Sequence, residues 1–133
     1  MAHITTFQGV EKFVNSDIRS GVTSEAIAKR RFCVKESAGY LVKCTADTDI
    51  ALGLAYDSYA SGDQAQYIVR GDLQFVATGS IAKGDPLCPD NATPGNMRTA
   101  ISGDRVFGYA IDVAETGEYC YGRFDFINHA LLA

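Results

Sequence analysis

Covalent chemistry in this chain would have to be built from Cys33, Cys44, Cys88, Cys120, His3 and His129. A cysteine nucleophile needs a neighbouring base and an electropositive pocket that holds it as thiolate. No local run marks any of these cysteines in that way, so they read as small buried hydrophobes. Zinc ligands come at spacings such as C-x-x-C; no two cysteines are so spaced, and the histidines lie near opposite ends of the sequence. Asp57 and Asp112 would make a carboxylate pair for acid–base work, but each falls at a strand end before a turn, where Asp bonds its own backbone. Gly62-Asp63, Gly71-Asp72, Gly84-Asp85, Gly103-Asp104 and Gly117-Glu118 offer acidic loops of the kind that bind calcium. They match neither an EF-hand nor a calcium-binding nonapeptide, and turn formation accounts for all five. There is no phosphate loop and no G-x-G-x-x-G run. The basic cluster Lys29-Arg30-Arg31 reads as a solvated edge. The chain is therefore expected to be non-enzymatic, with no catalytic residue, no metal and no cofactor.

The elements that carry these residues come in duplicate. Ile27-Ala28-Lys29 returns as Ile81-Ala82-Lys83, and Leu52-Gly53-Leu54-Ala55-Tyr56-Asp57 returns as Phe107-Gly108-Tyr109-Ala110-Ile111-Asp112. Ser61-Gly62-Asp63 returns as Thr116-Gly117-Glu118. The period is about 54 residues, with too few copies for a solenoid. Two β units folded as one domain is the simplest reading, with pseudo-repeats over about 27–71 and 81–126.

Strand signals begin near Ile27. Residues 32–35 and 40–44 read as a hairpin across Glu36-Ser37-Ala38-Gly39. Residues 51–56 form a strand with Gly53 inside it; an interior glycine weakens a strand, so its return at Gly108 indicates a bulge or a close backbone approach. Residues 64–69 and 73–78 are strands on either side of a turn at Gly71-Asp72. Gly62, Gly84 and Gly117 mark further turns. Residues 105–113 read as the longest strand. Residues 118–126 alternate, with Tyr119, Tyr121, Arg123 and Asp125 on one face and Cys120, Gly122, Phe124 and Phe126 on the other. Residues 23–30 read as a turn leading into a strand, and residues 128–133 as a short apolar tail. Short strands with turns every 8–12 residues specify an all-β domain, a compact barrel or sandwich. Residues 1–22 stand outside the repeat as an arm, and the β-rich domain spans 23–133. Phe7, Val10, Phe13, Val14 and Ile18 are scattered without clean periodicity, so the arm either packs on its own domain or orders on something else.

At 133 residues, one domain with a sizeable core is expected; a chain of this size buries roughly two thirds of its unfolded surface. The net charge of -4 and pI near 5.0 disfavour nucleic acid, which calls for a basic stripe. Mean hydropathy is -0.03 and no long apolar run occurs, so no membrane span is expected. No secretory signal is visible in residues 1–10, which implies synthesis into the cytoplasm. A single disulfide stays open, though a reducing compartment favours free thiols.

The run Ile81-Ala82-Lys83-Gly84-Asp85-Pro86-Leu87, then Ile101-Ser102-Gly103-Asp104-Arg105-Val106-Phe107-Gly108-Tyr109-Ala110, then Glu115-Thr116-Gly117-Glu118, resembles the capsid cement, or head decoration, proteins of tailed bacteriophages. Ser61-Gly62-Asp63 and the stretch 77–82 match the middle of the same pattern, and the resemblance covers about 27–126. It implies a virion protein on the outer surface of the expanded icosahedral capsid, made in the host bacterial cytoplasm. Its partners would be the major capsid protein and itself, as a homotrimer, with neighbouring coat subunits bridged and the shell stabilised. Ile4, Phe7, Val10 and Phe13 are the expected capsid contacts. The alternative is a small-molecule or glycan-binding adhesin module, with Tyr56, Tyr59, Tyr67, Tyr109, Tyr119 and Tyr121 lining a sugar site.

Overall fold

The computed structural model describes residues 11–133. They are all-β, with twelve strands and no α-helix among the described residues. β1 (Ile18–Val22), β2 (Cys33–Ser37), β3 (Tyr40–Lys43), β4 (Gly53–Ala55) and β5 (Gln64–Ile68) form one antiparallel sheet in the order β1-β5-β4-β2-β3. β6 (Arg70–Val76), β7 (Pro86–Pro89), β8 (Met97–Thr99), β10 (Gly108–Ala110) and β11 (Tyr119–Asp125) form the second, in the order β6-β11-β10-β7-β8. β9 (Arg105–Val106) and β12 (Ala130–Leu131) make a small separate ribbon. With that ribbon set aside, the two orders are the same, so the sequence repeat is a repeat of topology.

The duplication reaches single hydrogen bonds. Thr23, just past β1, bridges in parallel to Leu41 in β3, and Ala77 bridges likewise to Met97 in β8. Each bridge joins the two outer strands of its sheet, so each sheet closes into a small barrel and hides its edges. Ile27 pairs with Tyr59 as Ile81 pairs with Ala114. The acidic turns share one mechanism: the carboxylates of Asp63, Asp85, Asp104 and Glu118 accept the N–H of the residue three earlier, at Ala60, Ala82, Ile101 and Glu115. Asp57 and Asp112 each accept the following N–H, at Ser58 and Val113. These side chains satisfy turn donors that strand ends would otherwise leave unpaired.

Three segments differ from their sequence reading. Gly71-Asp72 is no turn but lies inside β6, where Lys12 and Asp72 exchange backbone hydrogen bonds of 2.8 and 3.0 Å. Residues 105–113 are not one strand. Val106 pairs with Ala130 in the ribbon, whereas the Phe107 N–H donates to the Leu87 carbonyl and Gly108 starts β10. Residues 18–22, assigned to the arm, are β1, paired along all five residues with β5. The hairpin of β2 and β3 and the alternation along β11 follow the sequence pattern.

The two barrels share a core. Ile27, Val34, Leu41 and Ala55 fill the first barrel, with Phe32, Tyr59 and Tyr67 against them. Their counterparts Ile81, Leu87, Met97 and Ala110 belong to a larger cluster that also takes in Cys33, Cys44, Leu54 and Ile68, from the opposite face of the first sheet. Strand alternation makes this possible: Leu54 lies across from Cys33 and Ile68, and all three are fully buried. Burying Leu54 and Ile68 stabilises the union by about 2 kcal/mol per side chain. Polar contacts extend it. Arg98 of the second unit donates to Asp47 of the first at 2.7 Å, and Tyr119 Oη donates to the Arg30 carbonyl at 3.0 Å.

Candidate interaction surfaces

The side chains with chemical potential are engaged in structure. All four cysteines are buried. Burial pushes the Cys33 thiol well above its usual range, and lifts Cys88 and Cys120 to about 12. Those three thiols are driven away from the thiolate, the state a nucleophile needs. His129 stands 4.8 Å from the Phe107 ring, with Nδ1 3.0 Å from Arg105. Among the described residues no group of three or more His, Cys, Asp or Glu is placed to hold a metal ion.

Within the basic cluster Lys29 is exposed, as a solvated edge would be, but Arg31 is a buried anchor. Arg31 is 6% exposed. Its Nε and Nη2 donate to the two Glu11 carboxylate oxygens at 2.7 and 2.8 Å, and its Nη1 donates to the carbonyls of Ala55 and Tyr56. Glu11 Oε2 also accepts the Gln74 N–H at 2.9 Å. Arg30 donates to Gln74 and lies 4.6 Å over the Tyr119 ring. Arg31 holds φ at +68°, and its N–H donates to Ala55, just as Gly84, at φ +91°, donates to Ala110. The first unit thus has arginine where the second has glycine. The left-handed backbone costs a non-glycine residue about 1 kcal/mol, and four well-placed side-chain donor contacts offset it.

Of the expected capsid contacts, Ile4, Phe7 and Val10 lie outside the described residues. Phe13 is half-buried against the shared core, edge-on to Tyr56 at 6.2 Å and 6.0 Å beneath the Arg31 guanidinium. Of the tyrosines of the alternative sugar site, Tyr56 lies 5.7 Å from the Arg31 guanidinium. Tyr59 and Tyr67 pack on the first barrel's interior, Tyr119 lies under Arg30, and Tyr109 stands on the second barrel's outer face. Of the glycines singled out from sequence, Gly62, Gly84 and Gly117 have φ near +90° and Gly71 has φ +136°. Gly53 and Gly108 have ordinary φ but admit a close approach of neighbouring backbone.

Sequence reasoning missed a groove of about 320 Å³ lined by Val106, Gly108, Tyr109, Arg123, Asp125 and Leu131, among others. Its floor is informative. Tyr109 pairs with Pro86 and Arg123 just as Leu54 pairs with Cys33 and Ile68. In the first unit that face is buried against the second; in the second unit Tyr109 is 53% exposed and Leu131 is 62% exposed. Only the register makes the two faces equivalent, since their residue types do not match.

The fold defines a class: an internally duplicated, all-β domain of two small barrels with one shared core. The N base of head fiber gp8.5 in bacteriophage phi29 is similar to it, with a TM-score of 0.62 and 20% identity over 87% of this chain and 97% of that one. No family model matches the sequence, and no curated protein matches it either.

Proposed function

We propose that this chain is a non-enzymatic structural protein of a tailed-phage head, a homotrimer bound to the outer capsid surface that stabilises the shell by bridging coat subunits. The fold likeness to the base of a phage head fiber carries the reading, because it spans nearly all of that chain. The turn motifs resembling head decoration proteins are a separate support. A ligand that binds only the expanded shell stabilises it by mass action, and three linked contacts add avidity.

The groove at Tyr109 is the trimer contact in this reading. The matching face of the first barrel takes the second barrel of the same chain, so the free face takes the next copy. Such a head-to-tail contact closes into a ring when its rotation allows. Tyr109→Asp combined with Leu131→Asp is expected to give a folded monomer by light scattering; a trimer that persists would move the contact elsewhere.

The capsid contact is assigned to the segment before Glu11. Deleting residues 2–10 leaves the Glu11–Arg31 anchor intact, so a folded trimer that no longer decorates heads is expected. Undiminished decoration would remove Ile4, Phe7 and Val10 from the interface. For the reading as a whole, phage heads made without this protein are expected to release DNA at a lower temperature, followed with an intercalating dye. Equal release temperatures with and without it would overturn the stabilising role.

A further inference from the structure

Cys33 and Cys44 form a feature that the proposed function does not use. Cys33 opens β2 and Cys44 follows β3, one step beyond the pair Val34 and Lys43. Their Sγ atoms lie 3.2 Å apart, and both side chains are fully buried. The backbone holds them in place. The Cys44 N–H donates to the Cys33 carbonyl at 2.9 Å. Gly95, from the second unit, accepts from the Cys33 N–H at 2.8 Å and donates to the Cys44 carbonyl at 3.0 Å. A Cβ on Gly95 would strike the Phe32 ring, so this close clamp depends on glycine. The other two thiols are turned to oxygen: Cys88 to Asp104, and Cys120 to the carbonyls of Asp112 and Tyr121.

We propose that Cys33 and Cys44 are an oxidation site that closes into an intrachain disulfide at the junction of the two barrels. A disulfide needs its sulfurs at about 2.05 Å, so closure requires a shift of about 1 Å, within reach of small side-chain rotations. Hydrogen peroxide is the oxidant, small enough to enter when the hairpin end opens. One thiol sulfur gives up its proton and takes one peroxide oxygen as sulfenic acid, releasing water. The second thiol displaces that oxygen as a second water, and the Sγ–Sγ bond forms. Two S–H bonds are lost, the sulfurs together give up two electrons, and the peroxide takes them. Burial pushes the Cys33 thiol up, away from the reactive thiolate, so the pair reacts slowly and only when an oxidant reaches it. The inference rests on geometry and not on the functional reading.

The test is prolonged peroxide treatment of the native full-length protein, followed by thiol titration in denaturant and non-reducing peptide mapping. The thiol count is expected to fall from four to two, with a Cys33–Cys44 linked peptide and an unfolding midpoint raised by about 5 °C. C33S and C44S should each keep their three thiols, whereas C88S should lose two. Four surviving thiols, a link through Cys88 or Cys120, or sulfinic acids without a link would overturn the proposal. The wild-type peptide map decides the matter if a serine variant fails to fold.

Discussion

Arg31→Ala is expected to lower the thermal midpoint by about 12 °C, the counterpart of about 3 kcal/mol for a domain of this size. Removing the guanidinium leaves the largely enclosed Glu11 carboxylate with only the Gln74 N–H and the more distant Arg30, at 3.9 Å, and strips Nη1 donors from two carbonyls. Breaking one partner of such a pair costs more than the pair itself contributes, because a charge stays buried without compensation. Arg31→Gly is expected to fall less far than Arg31→Ala, by about 1 kcal/mol, because φ of +68° suits glycine. Equal losses would refute the backbone half of this argument. The pair also has a pH signature. Burial acts to raise the Glu11 pKa, but the Arg31 hydrogen bond, the Gln74 N–H and the charges of Arg31 and Arg30 outweigh it and hold it below 4.5. A carboxylate with a depressed folded pKa contributes stability that is full above its unfolded pKa and lost as pH falls through the folded one. Acid is therefore expected to weaken the wild type below about pH 4.5. Arg31→Ala should show a shallower loss over the same range, measured as the unfolding midpoint against pH.

Gly53→Val and Gly108→Val are expected to be comparably damaging, each by about 3 kcal/mol. A Cβ at Gly108 would sit 2.5 Å from the Phe124 ring and 2.6 Å from the Arg123 carbonyl. At Gly53 it would strike the Ile68 carbonyl and the Tyr67 ring. In both places the obstacle includes backbone in the neighbouring strand, which cannot step aside as a flexible side chain can. Gly39→Ala is the control: its φ is +88° but nothing lies within 4 Å, so about 1 kcal/mol is expected. Chemical denaturation of the three variants checks the ranking. A Gly108→Val protein as stable as Gly39→Ala would show that the strands are not so closely packed.

The repeat was legible because turns restrict residue type. Gly62-Asp63 and Gly117-Glu118 perform the same turn, and Gly53 and Gly108 occupy the same close approach, so both pairs kept their chemistry. β1 and β6 are equivalent in topology yet share no motif, since an outer strand is constrained mainly by what covers it. That is why the repeat, placed at Ile27 from sequence, begins at Ile18 in the fold. Gly71-Asp72 was misread as a turn because its partner, Lys12, lies far away along the chain. The single strand expected over 105–113 broke because Val106 answers to Ala130 and Phe107 to Leu87. Arg31 carried no local sign of burial; its partner Glu11 lies twenty residues earlier. The groove was invisible for a related reason: Tyr109 and Arg123 correspond to Leu54 and Ile68 only by register.

The most direct measurement of the proposed role is co-sedimentation of the purified protein with expanded, undecorated heads of its source phage, against unexpanded shells. Saturable binding to expanded heads alone, at a stoichiometry that is a multiple of three per site class, is the predicted result. A well-folded protein that binds neither shell would contradict it.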